Sequence, residues 1–171
     1  MNIYGHINKA IKELDNNIFN LQEVEEKHGI EGIKKSWNYI QKYMKNIYPD
    51  FVTSFEKYLD TLTENEVVIT KDMVNEAYST FKIIKEEQRI DVKSFMLRYM
   101  WVMERLLIFH KPDEACRVCQ GHLHYYYDSE QVIKLCSTCS MAFKLNDEVI
   151  PPKSLSESLR PAKKDELLKV M

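Results

Sequence analysis

Cys116-Arg-Val-Cys119 and Cys136-Ser-Thr-Cys139 bracket a sixteen-residue run, Gln120-Gly-His-Leu-His-Tyr-Tyr-Tyr-Asp-Ser-Glu-Gln-Val-Ile-Lys-Leu135. Two residues between paired cysteines let both thiolates turn onto one metal ion, and two such knuckles complete a tetrahedral shell of four sulfurs. The run between them divides into β-prone stretches, 122–127 and 131–135, around the polar turn Asp128-Ser-Glu130. That pattern predicts a hairpin that carries the second knuckle back to the first. Gly121 is expected to relax the tight backbone just past the first knuckle. Thiolate-rich tetrahedral sites select zinc or iron–sulfur chemistry, and zinc is the expected ion here. Its role is expected to be structural, because four thiolates leave no open position for water or substrate.

The chain has 4 cysteines and the knuckles use all of them. Nothing remains for a disulfide framework, which suits a reducing compartment, and the expected location is the cytoplasm. No basic and apolar leader is visible in Met1 to Asn17.

The segment Leu135-Cys-Ser-Thr-Cys-Ser-Met-Ala-Phe-Lys-Leu-Asn146 resembles the second half of a GATA-type zinc finger, in which a leucine precedes a C-x-x-C that opens a short helix. The resemblance covers residues 116–146 only. It implies a treble clef: knuckle, hairpin, then a helix whose first turn supplies Cys136 and Cys139. The Trp-Arg-Arg element and basic tail with which GATA fingers read DNA have no counterpart, since the hairpin reads His122-Leu-His-Tyr-Tyr-Tyr-Asp128 and the tail Asn146-Asp-Glu-Val-Ile-Pro-Pro152.

Upstream of the knuckles the chain reads as helices. Glycine (4) and proline (5) are scarce, which favours long helices over a turn-rich sandwich. Ile3, Ile7, Ala10, Ile11, Leu14, Ile18, Leu21 and Val24 recur at three- and four-residue steps. They predict one helix, stopped at Lys27-His28 with Gly29 as its left-handed terminator. A second carries Ile33, Trp37, Ile40, Met44 and Ile47 and ends at Pro49. Asp50 is expected to cap a third through Leu62, Thr70 a fourth through Met73, Ala77, Phe81 and Ile84, and Asp91 a fifth through Phe109 and His110. Thr63-Glu-Asn-Glu66 reads as a connection and Val67-Val-Ile69 as a short extended piece. The fifth helix is apolar on most of its circumference, so it is expected to be central. His110 is expected to serve its dipole.

The expected fold class is mainly α: a bundle of about five helices (1–110), a four-cysteine zinc-finger module (111–146) and a partly helical tail (147–171). In the tail, Ser154-Leu-Ser-Glu157 has the pattern of a capping box for a short helix, broken by Pro161. Leu155, Leu159, Leu167 and Leu168 are expected to dock the tail. Strand alternation sends Tyr125 and Tyr127 to one face and Tyr126 to the other, with one face packed on the bundle. His122 and His124 are expected to be ordinary strand residues or hydrogen-bond donors to a thiolate.

The net charge is −2 and evenly spread. Residues 1–110 carry 15 Lys/Arg against 17 Asp/Glu, and residues 111–171 carry 9 against 9. Neither part supplies the basic field that duplex binding requires. There is no Gly-rich phosphate loop, no G-x-S-x-G and no H-E-x-x-H. The expected role is therefore non-enzymatic: a protein-binding module, in one form a bacterial or phage inhibitor or immunity-type protein with another protein as partner. The alternative is a nucleic-acid-binding finger contacting its target through Arg117, Lys134 and Lys144, helped by Arg160, Lys163 and Lys164. No membrane association is expected. Glu25-Glu26, Glu86-Glu87 and Lys163-Lys164 are expected to be solvated faces.

Overall fold

In a computed structural model that describes residues 2–62, 66–87 and 91–171, the chain begins with helix α1, Ile3–Leu14. The Asn2 side chain caps it by accepting from the Gly5 amide, and Ile7, Ala10 and Leu14 are buried on one face. The expected stripe then changes form. Asp15–Phe19 is a single π-helical turn, which the Asn17 amide supports by donating to the Glu13 carbonyl at 2.7 Å. The helix ends at Asn20, and Leu21 is exposed.

The long helix α2, Glu26–Ile47, starts earlier than its pattern suggested. Lys27, His28 and Gly29 lie in its first turns, so Gly29 terminates nothing. The reason is space: a Cβ on Gly29 would stand 3.0 Å from Val24 Cγ1, and one on Gly32 only 2.4 Å from Asn17 Cβ. The π turn meets α2 at Gly32 through Asn17, while Gly29 makes room for Val24 and Ile69.

Helix α3, Pro49–Thr61, has Pro49 in its first turn and Tyr48 as its cap, so Asp50 sits inside the helix and not before it. Helix α4, Lys71–Glu86, is capped by Thr70 through the Met73 amide, and α5, Val92–Leu107, by Asp91 through the Ser94 amide, both as expected. Of the expected connection Thr63-Glu-Asn-Glu66, only Glu66 falls among the described residues.

Helix α5 buries Phe95, Met96, Tyr99, Val102, Met103, Leu106 and Leu107. They pack with Trp37, Ile40, Phe55, Phe81 and the α1 stripe in one core. Inside it, Ser36 Oγ donates to the Ala10 carbonyl and lies 2.9 Å from the Tyr99 hydroxyl. Burial raises the Tyr99 phenol well above its ordinary pKa, against a smaller lowering by the Ser36 hydrogen bond. No helix among the described residues is long and apolar enough to cross a membrane.

The helix stops at Leu107, and Phe109 and His110 do not extend it. Phe109 turns instead onto Tyr125, edge to face with ring centroids 5.2 Å apart, and His110 opens strand β1, His110–Ala115. Strands β2 (His122–Asp128) and β3 (Gln131–Cys136) form the expected hairpin, in register from Leu123 opposite Cys136 to Asp128 opposite Gln131. Pro112 lacks an amide hydrogen, and β1 meets β2 with a shift of register between His110 and Ala115.

After the second knuckle the structure has strand, not helix. Ala142–Lys144 is β4, paired with β3, and Val149–Ile150 is β5, paired with β4. The treble-clef helix is therefore replaced by a continued antiparallel sheet, in the order β1-β2-β3-β4-β5, with β6 (Arg160–Pro161) pairing β2. The free edge of β3 and the burial of Ala142 and Phe143 on its two faces account for this.

The tail is docked, but differently from its pattern. Pro152–Ser154 is one 3-10 turn, so Ser154 ends a turn instead of capping a helix with Glu157, and Ser156 bonds Asp128 through both its amide and its hydroxyl. Helix α6 spans Lys164–Leu168. Leu167 is buried beside Met73, Tyr125 and Val132, and Leu155 and Leu159 pack against Ile133, Ala142 and Ile150, while Leu168 stays exposed. Tyr127 joins the first of these clusters and Tyr126 the second, on opposite faces of β2.

Candidate metal centre

The two knuckles are built alike. In the first, the Cys116 amide donates to the Gly121 carbonyl and the Gln120 amide to the Cys116 carbonyl. In the second, Cys136 donates to Met141 and Ser140 to Cys136. Each turn closes with a non-glycine residue in the left-handed region, Gln120 at φ 67° and Ser140 at φ 62°. Gly121 is not the residue with the unusual φ. It is needed because a Cβ there would meet Thr138 Oγ1 at 2.5 Å, where one knuckle passes the other.

The turns aim amide hydrogens at sulfur. Val118 donates to Cys116 Sγ and Gly121 to Cys119 Sγ, each at 3.4 Å, and Thr138 and Cys139 donate to Cys136 Sγ. All four sulfurs lie within 4.8 Å of one another, with Cys116 and Cys139 at 3.7 Å and Cys119 and Cys136 at 3.4 Å. A tetrahedron of sulfurs about 2.3 Å from a central ion has edges of about 3.8 Å. The donor set thus fits a single four-coordinate metal. Cys116 and Cys136 are buried against Leu123 and Phe143, and Cys119 and Cys139 face outward.

Thiols this close do not ionise independently. Burial raises the Cys116 thiol, but the Cys119 and Val118 amides outweigh it and bring it down to about 7. The Met141 amide lowers Cys139, yet burial and the neighbouring sulfurs push it up to about 12. A cation at the centre removes that conflict, since bound thiols are deprotonated outright.

The structure brings Arg117, Lys134 and Lys144 together around Phe143 and Asp147, but each is paired with a carboxylate or a ring. Lys134 is buried, with Asp147 Oδ1 at 2.5 Å and Glu114 Oε2 at 3.8 Å. It therefore lies inside the sheet and not on a reading surface, because two carboxylates that are distant in sequence converge on it. Lys144 pairs with Glu148 at 3.2 Å. Arg117 stacks its guanidinium over Phe143, 5.3 Å from the ring centroid. Arg160 is held bidentately by Glu166 and lies over Tyr127. Lys163 and Lys164 are no solvated face: they tie α6 to Glu66 and Glu26 at 3.2 and 2.9 Å.

His122 and His124 lie in strand β2, the first of the two expected placements. They turn to carboxylates of the helices rather than to sulfur: His122 Nε2 to Glu76 of α4 at 3.5 Å, and His124 Nε2 to Glu104 of α5 at 3.6 Å. His110 stands opposite His124 in the β1–β2 register, with ring centroids 4.9 Å apart. Sequence reading did not group these three. The His-x-His alternation was visible, but His110 joins it only through strand pairing.

No protein-family model, no curated protein and no solved structure matches this chain.

Proposed function

We propose that the four cysteines hold one structural Zn2+ and that the protein is a non-enzymatic module that binds another protein. The sulfur cluster supports the first half. Zinc has no geometric preference of its own against a tetrahedral thiolate shell, and a filled shell stabilises the fold without offering a reactive position.

One observation carries the second half. Helix α5 supplies the centre of the core, yet Leu97 and Trp101, one turn apart on the same helical face, are exposed at 37% and 44%. Tryptophan is among the residues on which interface energy concentrates, and an i, i+4 pair is the spacing of a helix-face anchor. The engagement of Lys134, Arg160, Lys163 and Lys164 with carboxylates favours this reading over nucleic-acid binding, which needs such cations free for phosphate.

The test is capture from a cytosolic extract on zinc-loaded protein, with nuclease treatment, for wild type and Leu97→Asp/Trp101→Asp. A stoichiometric protein retained after nuclease by wild type and lost by the folded variant supports the reading. Retention by both, or recovery of nucleic acid that weakens steeply with salt, rejects it.

A further inference from the structure

His122 and His124 alternate on β2 and so share one face of the strand. The antiparallel register sets His110 of β1 directly beside His124. The three ring centroids lie 4.9 Å (His110–His124), 5.7 Å (His110–His122) and 6.5 Å (His122–His124) apart.

Each ring has one nitrogen turned toward an acceptor. His110 Nδ1 lies 3.2 Å from the Ile108 carbonyl, His122 Nε2 3.5 Å from Glu76, and His124 Nε2 3.6 Å from Glu104. Metal-ligating histidines are oriented in this way, by a carbonyl or carboxylate on the nitrogen away from the metal. The opposite nitrogens of two of them, His110 Nε2 and His124 Nδ1, are buried and have no hydrogen-bond partner. Both residues are 2% exposed. A buried nitrogen without a partner is costly in an apolar interior, and here two occur side by side.

We propose that His110, His122 and His124 form a second metal site, separate from the four cysteines, for a divalent transition cation of the zinc type. Imidazole nitrogen suits zinc, cobalt and nickel, where carboxylate and water suit magnesium and calcium. A metal held by imidazole nitrogen at about 2.1 Å lies about 3.2 Å from each ring centroid, so tetrahedral ligands have centroids about 5.2 Å apart. The two distances from His110 bracket that value. The wider His122–His124 pair has to close by about 1 Å, and among the described residues only the four cysteines already have all ligand atoms within 4.8 Å of one another. His122 is the ring free to move, its side chain being 34% exposed, whereas His110 and His124 are fixed by burial.

The electrostatics agree with this assignment. Burial depresses the pKa of both His110 and His124, keeping them neutral and able to donate a lone pair. Glu76 acts on His110 with negative charge and Arg105 opposes it, while burial holds the Glu104 carboxyl beside His124 above the usual carboxylate range. Three protein ligands leave a position for water, which the four-thiolate centre does not.

The site does not rest on the protein-binding reading, and its test does not involve a partner. The full chain is titrated with Co2+ and the bound metal counted after gel filtration, alongside Zn2+ loading assayed by mass spectrometry. Wild type is expected to retain two ions per chain. One gives the intense near-ultraviolet thiolate-to-cobalt band; the other adds only weak visible absorption. His122→Gln, at the half-exposed position, and His124→Gln are expected to retain one ion with the thiolate band unchanged. Glu76→Gln is expected to weaken the second ion about 10-fold or more. Saturation of wild type at one ion overturns the proposal, as does a second ion that survives both histidine substitutions. Loss of the thiolate band in wild type would instead reject the cysteine centre.

Discussion

His124 makes stability depend on pH with a sign and size that follow from its burial. Its ring is 2% exposed, and desolvation, with His110, His122 and Arg105 adding to it, lowers its pKa from 6.5 to about 3. The backbone carbonyl of Ile108 acts in the other direction and is outweighed. The folded protein thus binds fewer protons than the unfolded chain below pH 6.5. Stability is complete above that pH and falls as the pH drops toward 3. At pH 5.5 the unfolded imidazole is about ten-elevenths protonated and the folded one neutral, a loss of about 1.4 kcal/mol; at pH 7.5 the loss is below about 0.1 kcal/mol. Urea unfolding at pH 7.5, 6.5 and 5.5, with one equivalent of Zn2+, isolates the effect of His124 when wild type is compared with His124→Gln. Protonation of the thiolates, of Glu104 and of His110 acts on both proteins and cancels to first order. Between pH 7.5 and 5.5 wild type should lose about 1.4 kcal/mol more than the variant. Parallel losses, or a larger loss by the variant, would refute the reasoning.

Chelation should release amide protection in residues 116–144 before the helices, as read by hydrogen exchange, because the core beside the knuckles is only Cys116, Leu123, Cys136 and Phe143 with Met141 against it; simultaneous loss everywhere contradicts this. Gly121→Ala places a methyl 2.5 Å from Thr138 Oγ1 and should cost about 1–3 kcal/mol in chemical denaturation while weakening Co2+ retention by the thiolates. In the helical core, Tyr99→Phe leaves Ser36 bonded to the Ala10 carbonyl and should cost about 1 kcal/mol, whereas Ser36→Ala strands the buried phenol and should cost about 1–3 kcal/mol. Equal costs for that pair would show that the phenol finds another partner.

Much of this was legible in sequence where the signal is local. The C-x-x-C spacing determines a shared sulfur centre because two residues are what a tight turn needs. Period-3.6 stripes mark the apolar faces of α1 to α5, and Thr70 and Asp91 mark starts because a cap acts on amides two or three residues away. Alternation assigned Tyr125 and Tyr127 to one face of β2 and Tyr126 to the other.

What only the tertiary structure decided were the contacts between segments distant in the chain. The stripe from Ile3 to Val24 keeps its phase past the point where the helix ends, so the π turn at Asp15–Phe19 and the early start of α2 at Glu26 appear only with Gly32 packed on Asn17. Ala142-Phe-Lys144 is too short to show a period, and its state follows from the open edge of β3. Lys134 reads as a free cation until Glu114 and Asp147 are brought to it. The sequence by itself determined the apolar helix faces and the grouping of the four cysteines, because their physics is confined to neighbouring residues. The pairing of His110 with His124 was decided by the fold, because strand register joins residues whose separation along the chain leaves no local trace.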